Sequence, residues 1–108
     1  MVTSKVEYLG ELRTRATHVR SGNEIITDAP VDNHGKGEAF SPTDLAATSL
    51  ATCMISIMGI KANAIKVSLG EITAEVTKVM YEEPRRIGEI HVKMNVPPGN
   101  FSEKEIFS

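Results

Sequence analysis

The stretch SPTDLAATSLATCMISIMGI, residues 41–60, decides the fold of this chain. Its first residues are typical of a helix start. Ser41 is a preferred N-cap, Pro42 suits the first helical position, and the carboxylate of Asp44 can reach back to the cap amide. The sequence therefore predicts one long helix that begins at Ser41 and runs to about Asn63.

The predicted helix combines an apolar arc with a narrow polar stripe. No charged residue lies between Asp44 and Lys61. The run is too short and too rich in Ser and Thr to span a bilayer, so we expect a buried helix. At about 100° per residue, the apolar arc contains Ala47, Leu50, Ala51, Met54, Ile57 and Met58. The stripe of small, mostly polar residues contains Thr48, Ser49, Thr52, Ser56, Gly59 and Asn63. Cys53, the single cysteine, falls at the border between them.

Alternating residues before the helix predict strands. The pattern from Val6 to Val19 predicts one strand, with Arg13 and Arg15 on the same face. Residues 20–23 have turn chemistry, so residues 24–27 should form the return strand of a hairpin. The Gly- and Pro-containing segment 28–40 predicts an exposed, mobile connection.

A second hairpin is predicted after the helix. Alternation over residues 72–80 and 90–96 indicates two strands, and residues 82–88 indicate the loop between them. Ser102 and Glu105 then form another capping box, followed by very few residues. Because so short a helix is unstable alone, we expect residues 1–108 to form a single domain that lacks a C-terminal helix and a last strand. The fold class is α+β, an antiparallel sheet around a central buried helix.

Composition limits the classes of function. A chain of 108 residues with 41% hydrophobic and 24% charged residues forms one soluble domain. A net charge of −2 without a basic patch argues against binding of nucleic acid. The N-terminus has no apolar signal segment, so a cytoplasmic location and no membrane association are expected. His18, His34 and His91 have no ligand spacing, so no metal or other cofactor is implied.

Cys53 has two interpretations. A free cysteine on an apolar helix is most often a small core residue. A reactive thiol would instead need a cation or donor from elsewhere in the fold. Arg13 and Arg15 could supply it by holding a thiolate and a peroxide or carboxylate oxygen. Alternatively, the two arginines only form ion pairs with Glu7 or Glu11 on a solvated strand face.

The segment SPTDLAATSLATC with its apolar continuation resembles the central helix of the OsmC/Ohr family, the osmotically inducible and organic hydroperoxide resistance proteins. The resemblance implies an intertwined homodimer whose sites lie at the interface, between strands of one subunit and the helix of the other. It also implies a thiol-dependent peroxidase that acts on organic hydroperoxides. Cys53 would be the catalytic thiol, Arg13 the best match to the activating arginine, and Arg15 the next. An external thiol or lipoyl partner would be the reductant.

The chain departs from the family pattern at two points. Thr43 occupies the position of a glutamate that orients the arginine, and no second cysteine is present to resolve the oxidised thiol. The predicted substrate pocket contains Thr43, Leu50, Met54 and Ile57. The alternative function is a non-enzymatic dimer of the same fold that binds a small apolar ligand, with Cys53 purely structural.

Overall fold

The computed structural model describes residues 1–96 and shows an α+β chain, as predicted. The elements are β1 (Ser4–Gly10), β2 (Arg13–His18), β3 (Glu24–Asp28), a 3₁₀ turn (Val31–Asn33), α1 (Pro42–Ala64), β4 (Thr73–Tyr81) and β5 (Arg86–Asn95). The chain divides after Leu45 into two compact units. The first unit contains β1 to β3 and the first turn of α1, and the second contains the rest of α1 with β4 and β5.

The first unit is built on a three-stranded antiparallel sheet in the order β1-β2-β3. The prediction of one strand from Val6 to Val19 is wrong, because the chain reverses at Glu11 and Leu12. Both residues have positive φ, 53° and 64°. Neither is a residue that normally favours left-handed backbone, so the alternation of the two strands reads as continuous. The return strand was predicted correctly as β3.

The register of this sheet places charged residues opposite one another. Arg13 lies opposite Asp28, and Arg15 lies opposite Glu7. Directly opposed residues in an antiparallel pair project from the same face with their Cβ atoms about 5 Å apart. The two arginines of β2 therefore each face an acidic residue of a neighbouring strand.

The connection from Ala29 to Phe40 is exposed over most of its length, as predicted. Its backbone is hydrogen-bonded to the last residue of β3 and to itself. The Asp28 amide donates to the Phe40 carbonyl at 3.0 Å, and the Gly37 amide donates to the Ala29 carbonyl at 3.2 Å. A Cβ on Gly35 would lie 1.7 Å from the Ala29 carbonyl oxygen. Gly35 is thus required by close backbone approach rather than serving as a flexible joint.

The helix starts as the sequence predicts. The Ser41 amide donates to the Asp44 carboxylate at 3.0 Å, and the Asp44 amide donates to Ser41 Oγ at 3.0 Å. This reciprocal pair is a capping box. The helix ends at Ala64, one residue beyond the predicted end.

The helix is only partly buried in the single chain, so its full burial in a dimer stays a prediction. Within Pro42–Ala64 the buried residues are Ala47, Ala51, Met58 and Ala62. Leu50 and Ile57 are 43% and 58% exposed, and Ile60 is also exposed. Much of the predicted apolar arc therefore faces away from the chain's own core.

The uncharged run was predicted to be too short and too polar for a bilayer span, but the complete helix is not. At 23 residues α1 is long and apolar enough to cross a membrane, by length and composition alone. The core helix of a soluble protein passes the same test, so this is weak evidence of a span.

The second unit joins the end of α1 to the predicted second hairpin. β4 and β5 pair antiparallel, with Val76 opposite Val92 and Ala74 opposite Met94. Buried Met58 and Ala62 are packed against partly buried residues of this unit: Val67, Leu69, Ile72, Met94 and Val96. The capping box predicted at Ser102 and Glu105 lies outside the described residues.

The helix terminates in a left-handed cap at Lys66. The Val67 amide donates to the Ala62 carbonyl at 2.9 Å and the Lys66 amide to the Asn63 carbonyl at 3.3 Å, while Lys66 has a φ of 59°. This is a Schellman motif, in which glycine is the preferred residue at the left-handed position.

We expect Lys66→Gly to raise the free energy of unfolding by about 0.5–1 kcal/mol, because glycine has no Cβ to strain the left-handed backbone. Urea unfolding checks this. Lys61→Gly is the matched control, since Lys61 is inside the helix, where glycine destabilises by about 1 kcal/mol. Equal destabilisation by both changes would contradict the prediction.

Candidate functional site

Cys53 lies near the middle of α1, and its side chain is exposed in the single chain. Leu50 and Ile57 lie three residues before it and four residues after it, and both are exposed. Residues at this spacing share one side of a helix. The thiol is therefore flanked by two aliphatic side chains on an open face, which is not the environment of a core residue in the single chain.

The other residues of the predicted pocket are divided between the units. Met54 is half-buried in the second unit. Thr43 lies in the first turn of α1, in the first unit, with Oγ1 3.2 Å from Ser41 Oγ. The hydroxyl of Thr43 is thus hydrogen-bonded to the N-cap residue of the helix.

Arg13 is held in a two-pronged ion pair by Asp28. Arg13 Nε donates to Asp28 Oδ1 at 2.7 Å, and Arg13 Nη2 donates to Oδ2 at 2.8 Å. The Glu38 amide donates to the same Oδ2 at 3.1 Å, and the Glu38 carboxylate lies 3.7 Å from Arg13 Nη2. Asp28 is 1% exposed. Sequence reasoning did not identify Asp28 as part of the site.

Arg15 has a looser environment than Arg13. Its Nη1 lies 3.1 Å from the Glu7 carboxylate, and its Nε lies 3.9 Å from that of Glu24. Both carboxylates are exposed. The suggested pairing with Glu7 is therefore found for Arg15, whereas Glu11 pairs with Lys36 at 2.6 Å.

The ion pairs shift the protonation equilibria of their members. The hydrogen bond from Arg13 lowers the pKa of Asp28, and burial only partly opposes this. The same hydrogen bond, with the charge of Asp28, raises the pKa of Arg13. A lowered carboxyl pKa means that the folded state binds the proton more weakly than the unfolded chain does.

This shift predicts a pH dependence of stability. The contribution of Asp28 should be fully present above the ordinary Asp pKa of about 3.9 and lost as the pH falls through the lowered folded value. The test measures the urea midpoints of wild type and Asp28→Asn from neutral to strongly acid pH. We expect the difference between the two midpoints to be constant down to about pH 5 and to disappear below about pH 4. A difference that stays constant into strong acid would contradict the assignment.

The structure places the predicted site residues on two units. Arg13, Arg15 and Thr43 belong to the first, whereas Leu50, Cys53, Met54 and Ile57 belong to the second. The approach of either guanidinium to the thiol stays a prediction. Among residues 1–96, no three His, Cys, Asp or Glu side chains are grouped so that they could hold a metal ion.

The two antiparallel sheets and the capped helix bearing an exposed cysteine make this an α+β protein. The family model for OsmC-like protein matches residues 35–107, which is more than half of the chain. The chain therefore belongs to the OsmC-like family, and the predicted resemblance is confirmed.

The solved structures that are similar to the chain include two whose descriptions bear on its family. One is described as an osmotic stress induced and detoxification response protein from Psychrobacter arcticus 273-4. It is 58% identical with a TM-score of 0.91, covering 97% of this chain and 76% of that one. The other, an organic hydroperoxide resistance protein OsmC from Legionella pneumophila, is 21% identical with a TM-score of 0.59, covering 87% and 69%. This second likeness shows the fold alone. A search of curated proteins gave no match.

Proposed function

We propose that this protein is a thiol-dependent peroxidase that reduces organic hydroperoxides with Cys53, in the cytoplasm, as part of oxidative stress defence. The observation that carries the proposal is the exposed thiol of Cys53 on the capped helix of an OsmC-like chain. The description of the structure that is 58% identical, an osmotic stress induced and detoxification response protein, agrees with this role.

The proposed reaction at Cys53 is a two-electron transfer. The thiol first loses its proton to solvent, because the thiolate is the nucleophile. The thiolate sulfur attacks the terminal oxygen of the hydroperoxide, so that an S–O bond forms as the O–O bond breaks. The leaving alkoxide takes a proton and departs as the alcohol. Cys53 is oxidised to a sulfenic acid, and the peroxide is reduced.

In this proposal a guanidinium stabilises the thiolate and binds the peroxide oxygen, with Arg13 the first candidate and Arg15 the second. Arginine suits this role because it is always charged and presents several donors in a plane. Leu50, Met54 and Ile57 would contact the organic part of the substrate, with Thr43 at the polar end. Aliphatic side chains beside the thiol favour an apolar hydroperoxide over hydrogen peroxide.

In this proposal an external thiol or lipoyl reductant regenerates Cys53. One thiol of the reductant attacks the sulfenic sulfur and releases water. A second thiol then attacks the mixed disulfide, returning Cys53 as a thiol and leaving the reductant as a disulfide. A small dithiol or a lipoyl group supplies both thiols in one molecule.

The proposal includes a homodimer. Leu50, Cys53, Ile57 and Ile60, here called the outer stripe, are all exposed and lie three, four and three residues apart. Residues at this spacing share one side of a helix. An exposed apolar stripe is costly in water. Strands of a second copy would cover its aliphatic side chains and leave the thiol of Cys53 open to the hydroperoxide at the interface.

We expect Ile57→Glu to convert the dimer to a monomer, because a carboxylate on the outer stripe would be buried without a partner. Sedimentation equilibrium would then give the mass of the 11.7 kDa chain instead of twice that mass. The control Thr52→Glu places the same charge at an exposed position on the polar stripe and should stay dimeric. A wild-type protein that sediments as a monomer would contradict the dimer.

The catalytic proposal is tested by the consumption of cumene hydroperoxide by wild-type protein with dithiothreitol as reductant. Turnover well above the rate of dithiothreitol alone is expected. A rate equal to that background would rule out the peroxidase. It would instead favour the alternative, a non-enzymatic dimer that binds a small apolar ligand and in which Cys53 is structural.

A further inference from the structure

We propose that Asp28 is a positioning residue that fixes the direction of the Arg13 guanidinium for the reaction at Cys53. It would take over the task that the family resemblance assigns to the position of Thr43, where this chain has no carboxylate. The inference rests on the proposed peroxidase function. It deepens that function by assigning the support of the activating arginine to the end of β3.

The contacts of Asp28 define the direction of the guanidinium. Its two carboxylate oxygens accept from Nε and Nη2 of Arg13 at 2.7 and 2.8 Å, which is a parallel two-bond fork. A fork of this kind fixes both the position and the plane of the guanidinium. Among residues 1–96, Nη1 of Arg13 takes part in no such contact, so the edge that carries Nη1 can donate to a substrate oxygen.

Burial makes the fork hard to open. Asp28 is 1% exposed, and its Oδ2 also accepts the Glu38 amide at 3.1 Å. If Arg13 swung away, a buried carboxylate would lose its counter-charge, which is strongly unfavourable. The guanidinium is therefore held in place before any substrate arrives, and such preorganised donors are the effective ones in catalysis.

In the part of the chain that the structure describes, Arg15 has no buried carboxylate partner that would fix the direction of its guanidinium. The carboxylates near Arg15 belong to Glu7 and Glu24 and are exposed, at 3.1 and 3.9 Å. Exposed ion pairs exchange readily with water and contribute little. Of the two guanidiniums on β2, that of Arg13 has a fixed direction, and a register pair of the sheet sets it.

The test measures the second-order rate of Cys53 oxidation by cumene hydroperoxide, at a temperature well below the unfolding midpoint of each variant. We expect Asp28→Asn to slow this oxidation by roughly ten- to a hundredfold, since small misplacements of a catalytic group cost about that much. Glu11→Gln is the control. It removes a neighbouring ion pair, Glu11 with Lys36, that forms no hydrogen bond with the guanidinium. Because the charge of Glu11 acts on Arg13 more weakly than those of Asp28 and Glu38, this variant should react at close to the wild-type rate.

Arg13→Lys and the double variant distinguish positioning from general stability. Lysine keeps the charge opposite Asp28 but cannot form the fork, so Arg13→Lys should be slowed to a similar degree. Adding Asp28→Asn to Arg13→Lys should then cause no further slowing, because both changes remove the same feature. If Asp28→Asn does not fold, the slow oxidation of folded Arg13→Lys carries the test.

Three results would overturn the inference. One is Asp28→Asn oxidising at the wild-type rate, and another is losses that multiply in the double variant. If Asp28→Asn does not fold, wild-type oxidation of Arg13→Lys is the third. Each of these leaves the peroxidase function standing, because wild type still reacts. A wild-type protein that does not react with the hydroperoxide overturns the function and the inference together.

Discussion

Cys53→Ser should abolish the reduction of cumene hydroperoxide by this protein. Serine is nearly isosteric with cysteine, but its hydroxyl is a far weaker nucleophile at neutral pH. Because serine has no sulfur, it cannot form the S–O bond of a sulfenic acid. Removal of the nucleophile should lower the rate by at least about a hundredfold, to the background of dithiothreitol alone. The coupled assay measures this directly.

Ser56→Ala is the control for this change. Ser56 is also exposed on α1, three residues after Cys53, and the substitution is of similar size. It should leave the rate of hydroperoxide consumption at the wild-type value. Retention of activity in Cys53→Ser would show that the thiol is not the nucleophile.

Met58→Ala should cause the largest loss of stability among single changes to the helix. Met58 is 3% exposed and forms the buried centre of the second unit with Ala62, against Leu69, Ile72 and Met94. Truncation of such a side chain removes buried apolar surface and leaves a cavity. We expect the free energy of unfolding to fall by about 2–4 kcal/mol, as measured by urea unfolding at a fixed protein concentration.

Val31→Ala serves as the control, because Val31 is 75% exposed outside the helix. Its effect should be within about 0.5 kcal/mol of zero. A loss for Met58→Ala no larger than that of the control would mean that Met58 is not part of a well-packed core.

Local chemistry explains what the sequence predicted correctly. Ser41, Pro42 and Asp44 act within one helical turn, so their capping role is readable from spacing alone. The second hairpin was also predicted from a local pattern, the alternation of apolar and polar residues within each strand. The turn at Glu11 and Leu12 was missed because neither residue carries the chemistry that normally marks a left-handed turn.

Non-local features were predicted less well. The sequence shows that α1 is apolar, but it does not show whether the cover comes from the same chain or another surface. As a result, the sequence alone did not identify Leu50 and Ile57 as the exposed residues of the apolar arc. Asp28 could have been found, because the turn at residues 20–23 sets a register in which Arg13 lies opposite Asp28. That deduction needed the pairing of the strands and not only their existence.

A single-turnover experiment tests whether the thiol of Cys53 reduces the peroxide bond. Reduced wild-type protein is mixed with an equal amount of cumene hydroperoxide in the presence of dimedone, which traps sulfenic acids, and is then analysed by peptide mass spectrometry. We expect a dimedone adduct on Cys53 and an equal amount of cumyl alcohol. An unmodified Cys53 in folded protein, with the hydroperoxide unconsumed, would contradict this role of Cys53.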